Sequence, residues 1–386
     1  MKKIGLAVCY DTKNFGSQLQ VLATIKVLMA MGYKTEIIRY TKKLTPKTII
    51  QTIPRLFNIS FVKSKLKRND KLKKASVFPN ILEYLKIRDR KFIKFAETHF
   101  TCLSPEFFGW ENLVNECKTR YDAFICGSDQ LWLPNNLGSH FYTLEFAPDD
   151  KPKISYATSF GVSYIPFFQK RNTSKFLNRF SSLSTRETAG ASIIKDLTGK
   201  DAEVVCDPTM LITSEEWTQI IPDKSIFNEP YIFCYFLGTN ENHRKIALEL
   251  KNKTNLKIIT VPFLDNFIDT DIIFGDIQLY DIDSADFINL IRHAEYILTD
   301  SFHGTVFSIL YNKPFMIFNR FGNDKNSRNS RIDTICSTLN LNERRYDGSV
   351  IKIENPIDYK NVNNRLRILR ESSINFLQKA LENNKQ

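Results

Sequence analysis

Short apolar runs alternate with amphipathic stretches along most of the chain. The run from Ile4 to Tyr10 ends at Asp11, which predicts a buried parallel strand. Gln18–Met31 carries an apolar stripe at helical spacing and is closed by Gly32, which predicts a helix. The same alternation continues along the chain. It predicts five further strands, at Thr35–Tyr40, Tyr121–Cys126, Ile154–Ala157, Ser181–Arg186 and Glu203–Cys206, and a helix at Ala189–Leu197.

A second series of the same kind begins at Tyr231. It predicts strands at Tyr231–Leu237, Leu256–Val261, Tyr296–Leu298 and Pro314–Phe318, and helices at 241–252, Asp286–Ala294 and Gly304–Tyr311. Two such series favour an α/β protein with two doubly wound domains that face each other. We predict a first domain at 1–222, a second at 223–345 and a helical tail at 346–386.

Composition restricts the class of protein. The chain has 386 residues, of which 42% are hydrophobic and 25% charged, so a disordered or collagen-like protein is excluded. No apolar run is long enough to span a bilayer. Lys2-Lys3 and the run after them imitate a signal peptide, but Asp11 ends that run early. We therefore interpret the run as the first strand of a cytoplasmic protein.

Positive charge is concentrated in one segment. Between Lys42 and Lys94, 16 Lys or Arg residues stand against 3 acidic residues, a net +13, whereas the whole chain carries +12. This basic insert, 42–94, could be a solvated helical face, a contact with anionic lipid of the inner membrane leaflet, or a site that attracts phosphates or nucleic acid. No RNP, KH or zinc-finger pattern accompanies it, so we expect no nucleic-acid partner.

Polar residues follow the predicted strands, at the sheet edge where ligands of such folds bind. Thr299–Thr305 places His303 at a helix N-terminus, where free N–H groups favour an anion and a histidine can donate a proton. Gly304 would let a ligand approach the main chain. The alternative is a histidine that only caps a loop. The histidines form no HxxxH pattern and no cysteine pair has CxxC spacing, so we expect no metal.

Two other segments have comparable positions. Gly127–Trp132 follows a strand; Asp129 could act as a base or orient a sugar hydroxyl, and Trp132 could stack on a sugar ring. The alternative is a turn with a helix cap and a packed Trp. Asn14–Ser17 is a βα loop that could hold an anion but lacks the dinucleotide-binding spacing. Arg186 and Arg331 are isolated cations near loop edges, typical of surface salt bridges.

Taken together, these segments resemble the polysaccharide pyruvyl transferase family. The matching stretches occur in the family's order and cover most of residues 1 to 345: Asn14–Gln20, Phe124–Trp132, Tyr156–Gly161, Ser184–Glu187, Cys206–Thr209, Thr299–Thr305 and Ser330–Ile332. The resemblance implies two Rossmann-like domains facing across a cleft, as in the glycosyltransferase B (GT-B) architecture. The basic insert is the least matched part.

The resemblance also implies an activity, the transfer of pyruvate from phosphoenolpyruvate to sugar hydroxyls as a ketal during synthesis of a capsule or exopolysaccharide. By motif match His303 is the acid, and no cofactor is needed beyond phosphoenolpyruvate as co-substrate. Some family members have an Arg where this chain has Ser301, so Arg186 and Arg331 become the donor-binding candidates.

The complete set of candidate site residues includes the loop residues that flank these groups. The catalytic candidates are His303 and Asp129. The substrate-binding candidates are Arg186, Arg331, Ser301, Gly304, Thr305, Asn14, Gly16, Ser17, Gly127, Ser128, Gln130 and Trp132. The expected acceptor is a nucleotide-linked or lipid-linked sugar, and the basic insert would suit a lipid-linked one.

Two other functions remain open at this point. One is a GT-B glycosyltransferase that uses a nucleotide sugar, because the same cleft and histidine would serve a diphosphate leaving group. The other is a sugar-binding protein of the same fold without catalysis. Fold alone does not separate the three.

Overall fold

The computed structural model describes residues 1–43, 80–134, 137, 140–263, 268–320, 329–349 and 352–382. Two parallel five-stranded sheets organise this part of the chain. The first contains β1 (Lys3–Ala7), β2 (Lys34–Thr41), β3 (Leu103–Phe108), β4 (Ala123–Cys126) and β5 (Lys153–Ser155), in spatial order β3-β2-β1-β4-β5. A short pair, β6 (Ser184–Thr185) and β7 (Glu203–Val204), follows β5 through a bridge between Ile154 and Ser182.

Helices cover this first sheet and connect its strands. They are α1 (Phe15–Ala30), α2 (Ile81–His99), α3 (Trp110–Arg120), α4 (Phe167–Leu177), α5 (Thr188–Thr198), α6 (Pro208–Leu211) and α7 (Ser214–Ile220). Strands β1 and β4 are buried over almost their whole length, which explains why their sequences are continuous apolar runs.

The second sheet repeats the topology of the first. It contains β8 (Tyr231–Tyr235), β9 (Lys257–Thr260), β10 (Ile277–Gln278), β11 (Tyr296–Thr299) and β12 (Phe315–Ile317), in order β10-β9-β8-β11-β12. Its helices are α8 (Glu241–Thr254), α9 (Ser284–His293), α10 (Phe302–Leu310) and α11 (Ser330–Leu339), with 3₁₀ turns at Asp269–Ile272 and Asn342–Arg344. Two similar doubly wound sheets confirm the predicted α/β, Rossmann-like architecture.

Helix α1 packs between the two sheets. Its residues 15–25 are all buried, so it has no solvent-facing side along this stretch. The ring of Phe15 stacks on Phe287 of α9 at 4.9 Å, and the hydroxyl of Ser284 donates to Gln18 Oε1 at 2.7 Å. The start of α1, which carries candidate site residues, is therefore fixed against the second domain.

The last helix, α12 (Tyr359–Glu382), returns to the first domain. Ser373 Oγ accepts from the Cys206 N–H at 3.0 Å, and Arg370 Nε donates to the Met210 carbonyl at 2.7 Å. The segment predicted as a tail thus packs against the strand-end loop 205–211. The Tyr359 hydroxyl at the start of the same helix donates to the Lys313 carbonyl of the second domain, so the helix contacts both domains.

Most of the basic insert, residues 44–79, lies outside the described residues. The C-terminal part of the insert, from Ile81 onward, forms most of α2. Phe92 and Phe95 are buried against the core, and the Phe92 carbonyl accepts from Gln18 Nε2 at 2.9 Å. No helix of the described chain has the length and apolar character required to cross a bilayer.

Candidate active site between the two domains

Two helix N-termini meet where the domains face each other. Helix α1 follows β1 in the first domain, and α10 follows β11 in the second. A Cβ added to Gly16 of α1 would lie 1.9 Å from Nδ1 of His303 on α10. Only glycine therefore fits at position 16, because the imidazole packs directly on the main chain. The carboxyl-end edges of the two sheets come together at this contact.

The residues around Gly16 and His303 set the two helix ends. Asn14 caps α1 by accepting from the Ser17 N–H at 3.1 Å, and Ser301 caps α10 by accepting from the Gly304 N–H at 3.3 Å. Ser301 thus has a clear structural function at the position where some family members have arginine. Each cap leaves positive potential at its helix start, facing the gap.

Gly304 and Thr305 lie inside α10 and face away from the cleft. A Cβ on Gly304 would come 2.6 Å from Thr299 Oγ1, so the glycine is needed for packing on β11. The Thr305 hydroxyl donates to the Ser301 carbonyl at 3.0 Å, and its side chain is buried. The structure therefore places both in the helix interior, where neither offers a side-chain group to a ligand.

Arg186 is the centre of a buried ionic network. Its side chain is 1% exposed, and its guanidinium donates to Asp207 Oδ2 at 2.9 Å and to Asp129 Oδ1 at 3.3 Å. Ser128 Oγ donates to Asp207 Oδ2 at 2.8 Å, and Ser17 Oγ donates to Asp129 Oδ2 at 2.6 Å. The expectation of a surface salt bridge at Arg186 is wrong, because the network joins three separate loops under the cleft.

Asp207 is the site residue that sequence reasoning missed. It caps α6, where Oδ1 accepts from the Thr209 N–H at 3.1 Å, and its Oδ2 lies 3.7 Å from His303 Nε2. Burial alone would raise the pKa of Asp207, but His303 and Arg186 hold this pKa far below its usual range. The available signal was its position directly after a strand, shared with Asp129 and His303.

His303 is positioned to hold a proton near the cleft. The residue is 8% exposed, and Nε2 is buried without a hydrogen-bond partner among the described residues. The nearby carboxylate oxygen Asp207 Oδ2 lies 3.7 Å from this nitrogen. A buried donor without a partner costs free energy, so this nitrogen is suited to a bound ligand.

Asp129 combines an unusual backbone with a charged side chain. Its φ of +88° lies in the left-handed region that non-glycine residues rarely adopt, and such strain is concentrated at functional sites. Burial would raise the pKa of Asp129, but the charge of Arg186 and the Ser17 hydrogen bond keep this pKa below its ordinary value. Asp129 is therefore an ionised carboxylate.

Arg331 adds positive charge to the same region. Burial, reinforced by the neighbouring charge of Arg186, lowers the pKa of Arg331 to about 9. The two guanidinium carbons lie over the ring of Phe302, at 4.7 Å for Arg186 and 5.5 Å for Arg331. Nε of Arg331 is buried without a hydrogen-bond partner in the described chain. Two cations on one ring destabilise each other, so an anion bound beside them would be stabilised.

Gly127, Gln130 and Trp132 support the site from below. A Cβ added to Gly127 would lie 2.4 Å from Val8 Cγ1. A Cβ added to Gly161 would lie 2.9 Å from Gln130 Nε2, so this side chain packs against the main chain of Gly161. Trp132 is completely buried, and its indole N–H donates to the Tyr142 carbonyl at 3.0 Å. Trp132 therefore belongs to the core of the first domain, and the sugar-stacking role expected for it does not fit this position.

A recess lies beside the start of α1, between the domains. It starts at Lys13 and Asn14 on the first domain, and aromatic side chains of the second domain, Tyr235, Phe263 and Tyr280, line its other side. Among the described residues, no group of three or more His, Cys, Asp or Glu side chains is arranged to hold a metal.

The fold and the site together define a two-domain α/β protein of GT-B-like architecture, with an anion-suited cleft. The model of the family described as polysaccharide pyruvyl transferase matches residues 14–320. The chain belongs to this family, which is a family of transferases. The match spans all the loops described above up to Arg320.

Solved structures agree with this fold. One is the Listeria monocytogenes protein named "putative UDP-N-acetylglucosamine 2-epimerase", with 8% identity, a TM-score of 0.50 and coverage of 100% of this chain and 97% of that chain. Another is a mutant O-GlcNAc transferase of Thermobaculum terrenum, with 9% identity, a TM-score of 0.53 and coverage of 99% and 67%. Identities this low show the fold alone. A search of curated proteins found no match.

Proposed function

We propose that the chain is a phosphoenolpyruvate-dependent pyruvyl transferase that forms a ketal on sugar hydroxyls during synthesis of a bacterial surface polysaccharide. Family membership supports the reaction class. The observation that carries the proposal is His303 Nε2, which lies 3.7 Å from Asp207 Oδ2 but forms no hydrogen bond among the described residues; His303 stands between two helix N-termini, with Arg331 nearby. Phosphoenolpyruvate has a carboxylate and a phosphate, and both groups are stabilised by helix N-termini and guanidinium groups.

The chemistry assigns each group one task. His303 gives its Nε2 proton to the methylene carbon of the enol, which becomes the methyl group, and positive charge develops on the central carbon. A sugar hydroxyl oxygen bonds to that carbon and loses its proton to a base, for which Asp129 is the candidate. A second hydroxyl oxygen of the same sugar then forms the second carbon–oxygen bond while the bond from the central carbon to the phosphate oxygen breaks, and the leaving phosphate takes the proton of that hydroxyl.

The rest of the network acts by positioning. Asp207 holds His303 through the 3.7 Å contact, and Arg186 holds Asp207 and Asp129 in fixed relative positions. Of the two arginines, Arg186 pairs with two carboxylates, whereas Arg331 has no carboxylate within 4 Å among the described residues. Arg331 is therefore the arginine that binds the donor. Neither arginine needs to move during the reaction.

A second candidate function is transfer of a sugar from a nucleotide donor. The specific observation in its favour is the recess beside α1, where Tyr235, Phe263 and Tyr280 could contact a base. A nucleotide-linked acceptor of the pyruvyl reaction would use the same groups. The two functions therefore differ in the donor they require, and an assay of the donor separates them.

The test is phosphate release by the full-length protein with phosphoenolpyruvate and a panel of nucleotide-linked and lipid-linked sugars. We expect release only when an acceptor is present, and loss of turnover in His303→Ala. His293→Ala is the matched control, since His293 on α9 pairs with Asp223 away from the cleft. Turnover retained in His303→Ala would overturn the assignment, and turnover that requires a UDP-sugar donor would favour the second candidate.

A further inference from the structure

Two adjacent phenylalanines stand out on the surface of the first domain. Phe167 is 89% exposed and Phe168 is 73% exposed, at the start of α4, and Tyr164 just before them is 43% exposed. Large aromatic side chains are normally buried, so an exposed group of three indicates a contact with something outside the domain.

The inner face of the same helix is already packed. Thr173, Phe176 and Leu177 are buried, and the ring of Phe176 lies 5.5 Å from that of Trp132. Folding of the domain therefore leaves Phe167 and Phe168 without a role in its core. Their exposure is a property of the surface and does not result from a poorly packed helix.

The charges on the helix that carries the two rings all have one sign. Helix α4 contains Lys170, Arg171 and Lys175, which are exposed, and no acidic residue. Lys170 and Arg171 are three and four residues after Phe167, which places them on its face of the helix. No carboxylate of the described chain forms an ion pair with these three cations. Aromatic rings next to unpaired cations match the interface of an anionic membrane.

The position of this surface relates it to the cleft. The loop 156–166 leads from the carboxyl end of β5 to Phe167, and Ser159 Oγ and the Phe160 N–H both donate to Glu187, at 2.8 and 2.9 Å. Glu187 directly follows Arg186, and Thr158 forms a bridge with Asp129. The loop that leads to the exposed aromatic rings therefore starts at the same sheet edge as the site and is held there by its hydrogen bonds to Glu187.

We propose that Tyr164, Phe167 and Phe168, with Lys170, Arg171 and Lys175, form a membrane-docking surface that inserts into the headgroup layer of an anionic bilayer. This aromatic-basic surface differs from the basic insert 42–94. Docking here would bring the cleft close to an acceptor carried on a lipid. The proposal concerns binding, and it stands whether or not pyruvyl transfer is the reaction.

The test is sedimentation of the full-length protein with vesicles. We expect binding to vesicles containing phosphatidylglycerol, weak binding to pure phosphatidylcholine, and loss of binding at high salt. Replacing both rings in Phe167→Ser/Phe168→Ser should weaken the partition coefficient roughly tenfold or more. Each of Lys170→Glu and Arg171→Glu should weaken it roughly fivefold or more.

The matched control is Ile273→Ser. Ile273 is 84% exposed in the second domain, in a stretch of sequence, 258–291, that contains no Lys or Arg, so it tests an exposed apolar side chain outside a basic segment. This control should bind as the wild type does, and all variants should melt as the wild type does. Absence of wild-type binding to anionic vesicles would overturn the proposal. A partition coefficient of the double variant within roughly twofold of that of the wild type would also overturn it. So would a wild type that forms a dimer and does not bind vesicles, if the double variant is a monomer.

Discussion

The contact between Gly16 and His303 predicts a sharp effect of one added methyl group. In Gly16→Ala the new Cβ would lie 1.9 Å from Nδ1, 2.3 Å from Cγ and 2.5 Å from Cε1 of His303. Nonbonded carbon and nitrogen atoms approach to about 3.5 Å, so the ring or the two domains must shift by about 1.5 Å. A displacement of about 1 Å at a reacting group costs on the order of 100-fold in rate. We therefore expect kcat/KM for phosphate release to fall at least about 100-fold.

The same variant has a defined effect on stability. Overpacking should lower the free energy of unfolding by about 1–3 kcal/mol, measured by urea denaturation. In the His303→Ala background the clash is absent, so Gly16→Ala/His303→Ala should have the same free energy of unfolding as His303→Ala. Both of these variants should be inactive. Gly199→Ala is the control, because it places an alanine at φ +73° with nothing within 4 Å of the new Cβ. It should lose about 1 kcal/mol and keep its activity. Unchanged kcat/KM in Gly16→Ala would refute the contact.

Two further substitutions test the buried charges. Asp207→Asn leaves Asp129 as the one carboxylate that pairs with the guanidinium of Arg186 among the described residues, and we expect the free energy of unfolding to fall by about 1.5–3 kcal/mol in urea titrations; a loss below about 1 kcal/mol would contradict the network. Burial would raise the pKa of Glu36, but hydrogen bonds from Arg120, Tyr121 and Lys3 lower it to about 2. Its contribution is therefore fully present above the unfolded pKa of about 4.3 and lost as pH falls towards 2. Glu36→Gln should remove about 1–2 kcal/mol at neutral pH, after solvent screening, and flatten the acid branch of the stability profile; an unchanged acid branch would show that Glu36 is not stabilised.

The pattern of the chain predicts most of the central strands. Strands β1, β4, β8 and β11 are short apolar runs because both faces of a parallel sheet are buried. Strand β3 (Leu103–Phe108) was missed, since this edge strand contains Pro105 and has few buried positions. Helix α3 was missed with it. An edge strand is stabilised by one neighbour and leaves a weaker pattern in the sequence.

The candidate site was predictable only in part. Position after a strand identified Asp129, His303 and the loop of Gly16, because the carboxyl ends of parallel strands share one edge. The same rule applies to Asp207, but nothing in the sequence around it indicates that His303 and Arg186 lie beside it. Arg186 looked like a surface cation, since nothing local shows that Asp207 and Asp129 fold over it. These contacts join residues far apart in the chain, which local patterns do not encode.

The central claim is that the cleft holds a small dianionic donor beside His303 and Arg331, and calorimetric titration with phosphoenolpyruvate tests it most directly. The matched control is Arg367→Gln, because Arg367 is an exposed arginine on α12 that pairs with Glu371. We expect wild type and Arg367→Gln to bind phosphoenolpyruvate equally, and Arg331→Gln to bind at least about tenfold more weakly, since a hydrogen bond to a charged group is worth about 1.5–3 kcal/mol. No heat of binding with the wild type, or equal affinity in Arg331→Gln, would contradict the account.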